Sequence, residues 1–242
     1  MKLLNLKGKI VLITGGTRGL GAAMVQAFKQ TGSKVIYTGT APRSKALPNC
    51  QYWQLDLSDE KSLAAFAVRL RALPQLDVLI NNAGTNVVEP IDRLQRANWD
   101  KIIQINLTGA MLLMREAASL MKRQRIKGRI LNIASIFGIV SRAGRNSYST
   151  SKAGLLGLTR TAALDLAPSG ILVNALCPGF VLTDLTKRML SPAERQALKK
   201  QIPQGRFGTE EEIAAAAVFL CSSLNTYITG HALVADGGAS VQ

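Results

Sequence analysis

Short apolar runs alternate with longer mixed stretches along almost the whole chain. Lys9 to Thr14 (KIVLIT) is apolar and rich in β-branched residues, and a glycine cluster bounds it. That pattern marks a strand buried on both faces. Ala22 to Phe28 follows as a helix former. Further strands are expected at Lys34–Thr38, Gln51–Leu55, Asp77–Asn81, Gly128–Ala134 and Gly170–Ala175, and a short last one at Ala232–Ala235. Helices are expected between them. One runs from an N-cap with early acids at Ser58-Asp59-Glu60 to about Leu73, before Pro74. A long one spans Asn98 to about Arg123, and another Ser147 to about Leu166. Strands that alternate with helical crossovers predict an α/β fold, a parallel sheet wound on both faces.

In such a sheet ligands sit beyond the carboxyl ends of the strands. The chain's unusual residues fall there. Thr14-Gly15-Gly16-Thr17-Arg18-Gly19-Leu20-Gly21 lies between the first strand and its helix. This is where backbone N–H groups and the helix dipole receive a pyrophosphate, and glycine permits the tight turn and close approach. Its spacing is G-x-x-x-G-x-G, not the usual dinucleotide G-x-G-x-x-G. Asn82, Ser135 and Pro178-Gly179 also fall at strand ends.

The candidate chemistry is Ser135-x12-Tyr148-x3-Lys152. A phenol with a reference pKa of about 10 is a poor proton catalyst at neutral pH unless a nearby cation favours its ionised form. Residues four apart share a helix face, so Lys152 is expected over the same patch as Tyr148. Ser135, from another segment, could hold the oxygen of a reacting carbonyl. An ordinary helix can also carry Y-x-x-x-K, so the trio gains weight only with the glycine loop.

Taken together, Thr14-Gly-x-x-x-Gly19-x-Gly21, Asn81-Asn82-Ala83-Gly84, Asn106, Ser135/Tyr148/Lys152 and Pro178-Gly179 resemble the short-chain dehydrogenase/reductase family, from about Lys9 to Asp236-Gly237-Gly238. The resemblance implies one Rossmann-type catalytic domain over residues 1–242 and reversible hydride transfer between a nicotinamide cofactor and a carbonyl/alcohol pair. It implies Tyr148 as proton donor, Ser135 as hydrogen-bond donor to the carbonyl oxygen, Lys152 on the nicotinamide ribose, and Asn106 as anchor of a water relay to Lys152. Cofactor contacts are implied for Gly15, Thr17, Arg18, Gly19, Leu20, Gly21 and Thr40. Asp56 and Leu57 are implied at the adenine, Asn82, Ala83 and Gly84 along the ribose, and Val181 and Thr183 at the carboxamide. Asn81 is expected to brace the central strands instead.

Cofactor choice turns on the end of the second strand, Tyr37-Thr38-Gly39-Thr40, which lacks the acid that bonds ribose hydroxyls in NAD-preferring folds. No Asp or Glu precedes Asp56, while Lys2, Lys7, Lys9, Arg18, Lys29, Lys34, Arg43 and Lys45 do. A basic residue attracts a 2′-phosphate. NADP(H) is therefore expected over NAD(H), with Arg18 where NADP-dependent members often hold a basic side chain.

Composition removes other classes. His231 is the only histidine, which argues against a histidine metal site or a Ser-His-Asp triad. Cys50, Cys177 and Cys221 read as reduced thiols of a cytoplasmic protein. No apolar stretch reaches the roughly 18 residues of a membrane span, and the N-terminus lacks a signal peptide's apolar block. The formal net charge is +15. It fits nucleic acid, an acidic protein partner, or an anionic substrate and cofactor. The basic stretches at 122–129 and 187–206 lack interleaved aromatics, so no nucleic-acid partner is expected. The expected lid, Leu182 to about Phe207, combines Leu185, Met189, Leu190 and Leu198 with Lys187, Arg188, Arg195, Lys199, Lys200 and Arg206.

Within the resemblance, 3-oxoacyl-acyl-carrier-protein reductases are closest, and an acidic carrier protein would suit the charge. Ser169, where those reductases often have arginine, is a departure. Sugar or polyol dehydrogenases come next, then steroid-type reductases; a noncatalytic NADP(H) sensor is the alternative class. Homotetramers or homodimers through the Asn98 and Tyr148 helices are implied. Small residues at Ala153, Gly154, Gly157, Ala162 and Ala163 permit either close association or packing on the chain's own sheet.

Overall fold

The structure, a computed structural model, describes residues 4, 6–42, 47, 48, 50–183, 186 and 190–241. Seven strands form one parallel sheet in the order β3-β2-β1-β4-β5-β6-β7. They are β1 (Ile10–Ile13), β2 (Lys34–Gly39), β3 (Cys50–Gln54), β4 (Val78–Asn81), β5 (Arg129–Ile133), β6 (Leu172–Pro178) and β7 (Ala232–Ala235). The order reverses between β1 and β4, which pair through Val11–Val78, Leu12–Leu79 and Ile13–Ile80. A crevice opens at such a reversal, beyond the carboxyl ends of the strands.

Both faces of the sheet are covered, so the central strands β1 and β4 are apolar almost throughout, while the edge strand β3 carries exposed Gln51 and Gln54. On one face, α2 (Glu60–Arg71) and the α4 helix (Gly109–Arg123) cover Leu12, Ile36, Leu79 and Ile130. The other carries α1 (Gly19–Gln30), whose Gly21, Met24, Val25 and Phe28 recur at helical spacing and are buried. Beside α1 packs a late helix, Glu210–Cys221, here called α7, which adds Ile213, Ala214, Ala217 and Val218 to the same core. The α7 start is set by a reciprocal cap between Thr209 and Glu212. Arg206 clasps Glu212 through two nitrogens at 2.9 and 2.7 Å, and these hydrogen bonds pull the carboxyl down to about 2.

Several expected boundaries move. The second helix is capped by Asp59, which accepts from the Lys61 N–H, and not by Ser58, whose groups are turned to Asp56. The strand expected at Gly170–Ala175 begins at Leu172, because Gly170 sits at φ +69 closing a helical turn, and it runs to Pro178 by pairing with Ala235. The expected Asn98–Arg123 helix starts earlier, as α3 (Arg96–Ile103), and reaches α4 through a five-residue π turn, Gln104–Thr108. Of the expected lid, α6 (Pro192–Lys199) is present, capped reciprocally by Ser191 and Glu194. Leu198, Ile202 and Phe207 pack there with Phe180 and Leu182. Leu185, Lys187, Arg188 and Met189 lie outside the described residues, as do Arg43 and Lys45.

Candidate active site

The glycine loop is built for contact with another molecule's phosphates. Gly15 has φ +65, and a Cβ there would lie 2.9 Å from Ala83 Cα. A Cβ on Gly21 would stand 2.1 Å from the Gly15 carbonyl oxygen, so only glycine lets α1 begin this close to β1. Thr14 and Asn82 lock the loop to β4: Thr14 Oγ1 accepts from the N–H groups of Asn82 and Ala83 at 2.9 and 3.0 Å. The Asn82 Nδ2 returns hydrogen bonds to the carbonyls of Thr14 and Gly15 at 2.8 and 3.1 Å. The first turn of α1 has no side-chain cap and no acid. Its free N–H groups therefore face the crevice with the positive end of the dipole.

Beside the loop, the end of β2 forms a second contact. The Cβ of a residue replacing Gly39 would meet Thr17 Cγ2 at 2.7 Å, so Thr17 packs against the end of β2, where Thr40 follows Gly39 in the chain. Thr17, Arg18 and Thr40 are exposed, and the Arg18 guanidinium has no ion pair among the described residues. Farther along, Asp56 accepts both the N–H and hydroxyl of Ser58, which hold its carboxyl below the usual range. Leu57 next to it is buried under Gly109.

The catalytic candidates meet at the end of β5. Ser135 follows that strand after Ala134 and caps a helical turn, its Oγ accepting from the Phe137 N–H at 3.1 Å. Tyr148 and Lys152 stand one turn apart on α5 (Asn146–Leu166). Lys152 is buried at 4% exposure, its Nζ donates to the Ile133 carbonyl at 2.8 Å, and it lies 5.6 Å from the Tyr148 ring centre. The two side chains thus share a side of their helix. Burial lowers the lysine to about 8.

Burial raises the Tyr148 pKa, and what opposes this is the Ser135 hydroxyl, which hydrogen-bonds it, followed by the positive charge of Arg145. Arg145, three residues upstream, is thus a second cation beside the phenol, in addition to Lys152, whose Nζ lies 5.6 Å from the ring centre. No position in the sequence reading drew attention to Arg145, although i−3 places it on the tyrosine's face.

Asn106 is brought in by the π turn. Its Oδ1 accepts from the Thr85 N–H at 2.8 Å, and its Nδ2 donates to the Thr85 carbonyl at 2.9 Å and to Ser151 Oγ at 3.1 Å. A Cβ on Gly84 would lie 3.3 Å from Asn106 Oδ1 and 3.6 Å from Lys152 Nζ, so these groups converge on one strip of backbone. Thr85 and Ser151 were also missed by the sequence reading. Asn81 braces the sheet as expected, its Nδ2 donating to Asn132 Oδ1 at 2.9 Å. Val181 and Thr183 lie just past β6. Val181 bridges to Gly208, and Thr183 Oγ1 is 3.0 Å from Thr186 Oγ1. The His231 N–H donates to Asn174 Oδ1.

The chain matches the family described as Enoyl-(Acyl carrier protein) reductase over residues 15–240. It is 40% identical to the 3-oxoacyl-[acyl-carrier-protein] reductase FabG of Aquifex aeolicus, covering 97% of this chain and 98% of the other. The chain belongs to the short-chain dehydrogenase/reductase family. It is an oxidoreductase of that family. Among solved structures, the Pseudomonas aeruginosa RhlG/NADP active-site complex superimposes with a TM-score of 0.92 at 30% identity, covering 100% of both chains. A protein assigned as an NAD(P)-dependent gluconate 5-dehydrogenase from Beutenbergia cavernae, with bound NADP, gives 0.92 at 30% identity over 99% of this chain and 100% of the other.

The residues present fit such a cofactor. The glycine cradle would be filled by any Cβ at Gly21, the helix N-terminus is uncapped, and the end of β2 has no acid to repel a 2′-phosphate. A separate cavity of about 500 Å³, lined by Lys9, Asp77, Arg125 and Lys127, lies at the amino ends of the strands and takes no part in this site. Among the described residues no helix is long and apolar enough to cross a membrane, and no group of histidine, cysteine and acidic residues could hold a metal ion.

Proposed function

We propose that residues 1–242 form one catalytic domain that reduces a 3-oxoacyl thioester to its 3-hydroxy product, with NADP(H) in the crevice between β1 and β4. The observation that carries this reading is the meeting of Ser135, Tyr148 and Lys152 beside Gly84, next to an uncapped glycine loop. Gly15, Thr17, Gly19, Leu20 and Gly21 would hold the pyrophosphate, and Arg18 and Thr40 the 2′-phosphate. Asp56 and Leu57 would meet the adenine, Asn82, Ala83 and Gly84 the ribose side, and Val181 and Thr183 the carboxamide. The bound cofactor supplies the hydride.

Tyr148 gives its phenolic proton to the carbonyl oxygen. Ser135 Oγ accepts from Phe137 and its hydroxyl stands against the Tyr148 hydroxyl, from where its O–H would turn to that same oxygen and stabilise the charge growing there. Lys152, near 8, exchanges protons close to neutrality and can restore the tyrosine's proton while holding the ribose hydroxyls. Asn106 acts at one remove, fixing the Gly84–Thr85 backbone that faces Lys152. Both donors aim at oxygen, which suits a ketone better than a carbon–carbon double bond.

The relative from Aquifex aeolicus supports the 3-oxoacyl substrate, and an acidic carrier protein suits a chain of net charge +15. A sugar-acid dehydrogenase is the second reading, favoured by the likeness to the Beutenbergia cavernae protein. Three unpaired thiols favour the cytoplasm. Association as a homotetramer or homodimer draws on α5, where Gly157 has open space beside it and Ala153 is exposed. Gly154 and Ala163 instead pack on this chain's own Leu107 and core.

Tyr148→Phe tests the assignment. Turnover of acetoacetyl thioester with NADPH should fall by about 10³-fold, within the range for a lost general acid, while calorimetric NADPH affinity persists. Near-normal turnover refutes the mechanism. A panel of acetoacetyl thioesters, ketoses and cyclic ketones, each with NADPH and NADH, separates the two substrate readings.

A further inference from the structure

Arg145 is the one cation beside the catalytic phenol that the mechanism above does not use. Its backbone is fixed on both sides. It forms the N-cap of α5, its carbonyl accepts from the Ser149 N–H at 2.7 Å, and it bridges to Glu89. The guanidinium carbon stands 5.6 Å from the centre of the Phe137 ring. Phe137 in turn meets the Tyr148 ring edge-on at 6.4 Å and Phe180 at 6.0 Å. A half-buried guanidinium thus lies along an aromatic wall that ends at the proton donor.

It has no ion pair among the described residues. Glu89, the acid bridged to it through the backbone, spends its carboxylate on Asn98 Nδ2 at 2.6 Å and the Gln95 N–H at 3.4 Å. A second cation, Arg142, also bears on Arg145 and adds repulsion to the cost of its burial. Holding an unpaired cation partly out of water costs stability, and that cost is recovered when an electron-rich oxygen arrives. Arg145 precedes Tyr148 by three residues, so an oxygen bound there lies close to the carbonyl being reduced.

We propose that Arg145 is a substrate-anchoring residue that takes a carboxyl-level oxygen, a thioester carbonyl or a free carboxylate, flanking the reacting ketone. The proposal deepens the reductase reading above and rests on it for the position of that ketone. Its planar fork presents two parallel N–H donors, which lysine cannot.

The test compares wild type with Arg145→Gln and Arg145→Lys on three substrates: acetoacetyl-N-acetylcysteamine, acetoacetate, and cyclohexanone, which lacks the second oxygen. The ratio of kcat/KM for each of the first two to that for cyclohexanone should fall at least tenfold in Arg145→Gln, through KM. Arg145→Lys should recover part of the loss for acetoacetate and less for the neutral thioester. A ratio within twofold of wild type overturns the proposal. Binding of acetoacetate to the NADP+-loaded protein, followed by calorimetry, reads the same residue without turnover. If wild type binds it and Arg145→Gln binds at least tenfold more weakly while neither reduces anything, the anchoring role stands and the reductase reading falls. If both bind alike, or wild type does not bind, the anchoring role is wrong.

Discussion

At the scale of single residues, Lys152 is a charge held where charge is costly. Its burial brings its pKa from 10.5 to about 8, even though its amine donates a hydrogen bond to the Ile133 carbonyl. Below about pH 8 the amine is protonated in both the folded and unfolded chain, so the full penalty of burying it applies. Between about 8 and 10.5 the folded amine gives up its proton while the unfolded one keeps it. The unfolded state then binds more protons, and this group's contribution to stability rises with pH. Lys152→Met should therefore abolish turnover and yet stabilise the fold at pH 7. The shift corresponds to about 3 kcal/mol of relieved penalty, offset by about 1 kcal/mol for the lost hydrogen bond. Denaturant unfolding at pH 7 and pH 10 checks this: the variant's advantage should shrink toward pH 10. A variant less stable than wild type at pH 7, or an advantage independent of pH, would contradict it. Such a residue is a stability cost retained for function.

At the scale of elements, the π turn explains an asparagine that helix propensity disfavours. Widening the helix at Gln104–Thr108 admits an extra residue, and such turns often sit at functional sites. Here it lets Asn106 reach sideways to Thr85 and Ser151, joining three segments through one side chain. Asn106→Leu keeps the volume but leaves the Thr85 N–H and carbonyl without partners. The expected cost is about 2–6 kcal/mol, from about 1–3 kcal/mol for each of the two orphaned groups, with a turnover loss of about 10²-fold. Urea midpoints and initial rates measure both, and retention of either would remove Asn106 from the site. The turn itself was illegible in the sequence, because a run such as Ile105-Asn106-Leu107 obeys helical periodicity equally well with or without an added residue. The strands were legible, since a sheet covered on both faces demands continuous apolar runs such as Ile10–Ile13 and Val78–Asn81. Their ends were less so. The extension of β6 to Pro178 depends on a distant partner, Ala235. Helix Glu210–Cys221 did carry a readable signal, Thr209 with Glu212, and an apolar stretch long enough to bury.

At the scale of the whole molecule, the field matters as much as any contact. The parallel sheet gathers the uncapped α1 terminus, Arg18, Lys152 and Arg145 at one end of a chain with net charge +15. Motif order made this gathering predictable for the glycine loop and the Ser-Tyr-Lys set, whose partners are set by strand ends. It did not for Arg145, whose importance comes only from an aromatic wall assembled by folding. A positive crevice concentrates anions and speeds their arrival, and salt screens that effect over about 10 Å at 0.1 M. The 2′-phosphate gives NADPH more negative charge than NADH, so kcat/KM for NADPH should fall more steeply between 50 and 500 mM NaCl. Arg18→Ala should flatten the NADPH slope and cut the preference for NADPH over NADH by at least tenfold, about 1.4 kcal/mol, with little change for NADH. Measuring the slope for both cofactors in both proteins separates a local contact from a global field. If Arg18→Ala lowers NADPH affinity without altering its salt slope, the guanidinium acts as a hydrogen-bond donor to the phosphate and the remaining cations do the steering. If it changes neither, the 2′-phosphate is read elsewhere, and Thr17, packed against Gly39 at the end of β2, becomes the next place to substitute, with Thr40 after it.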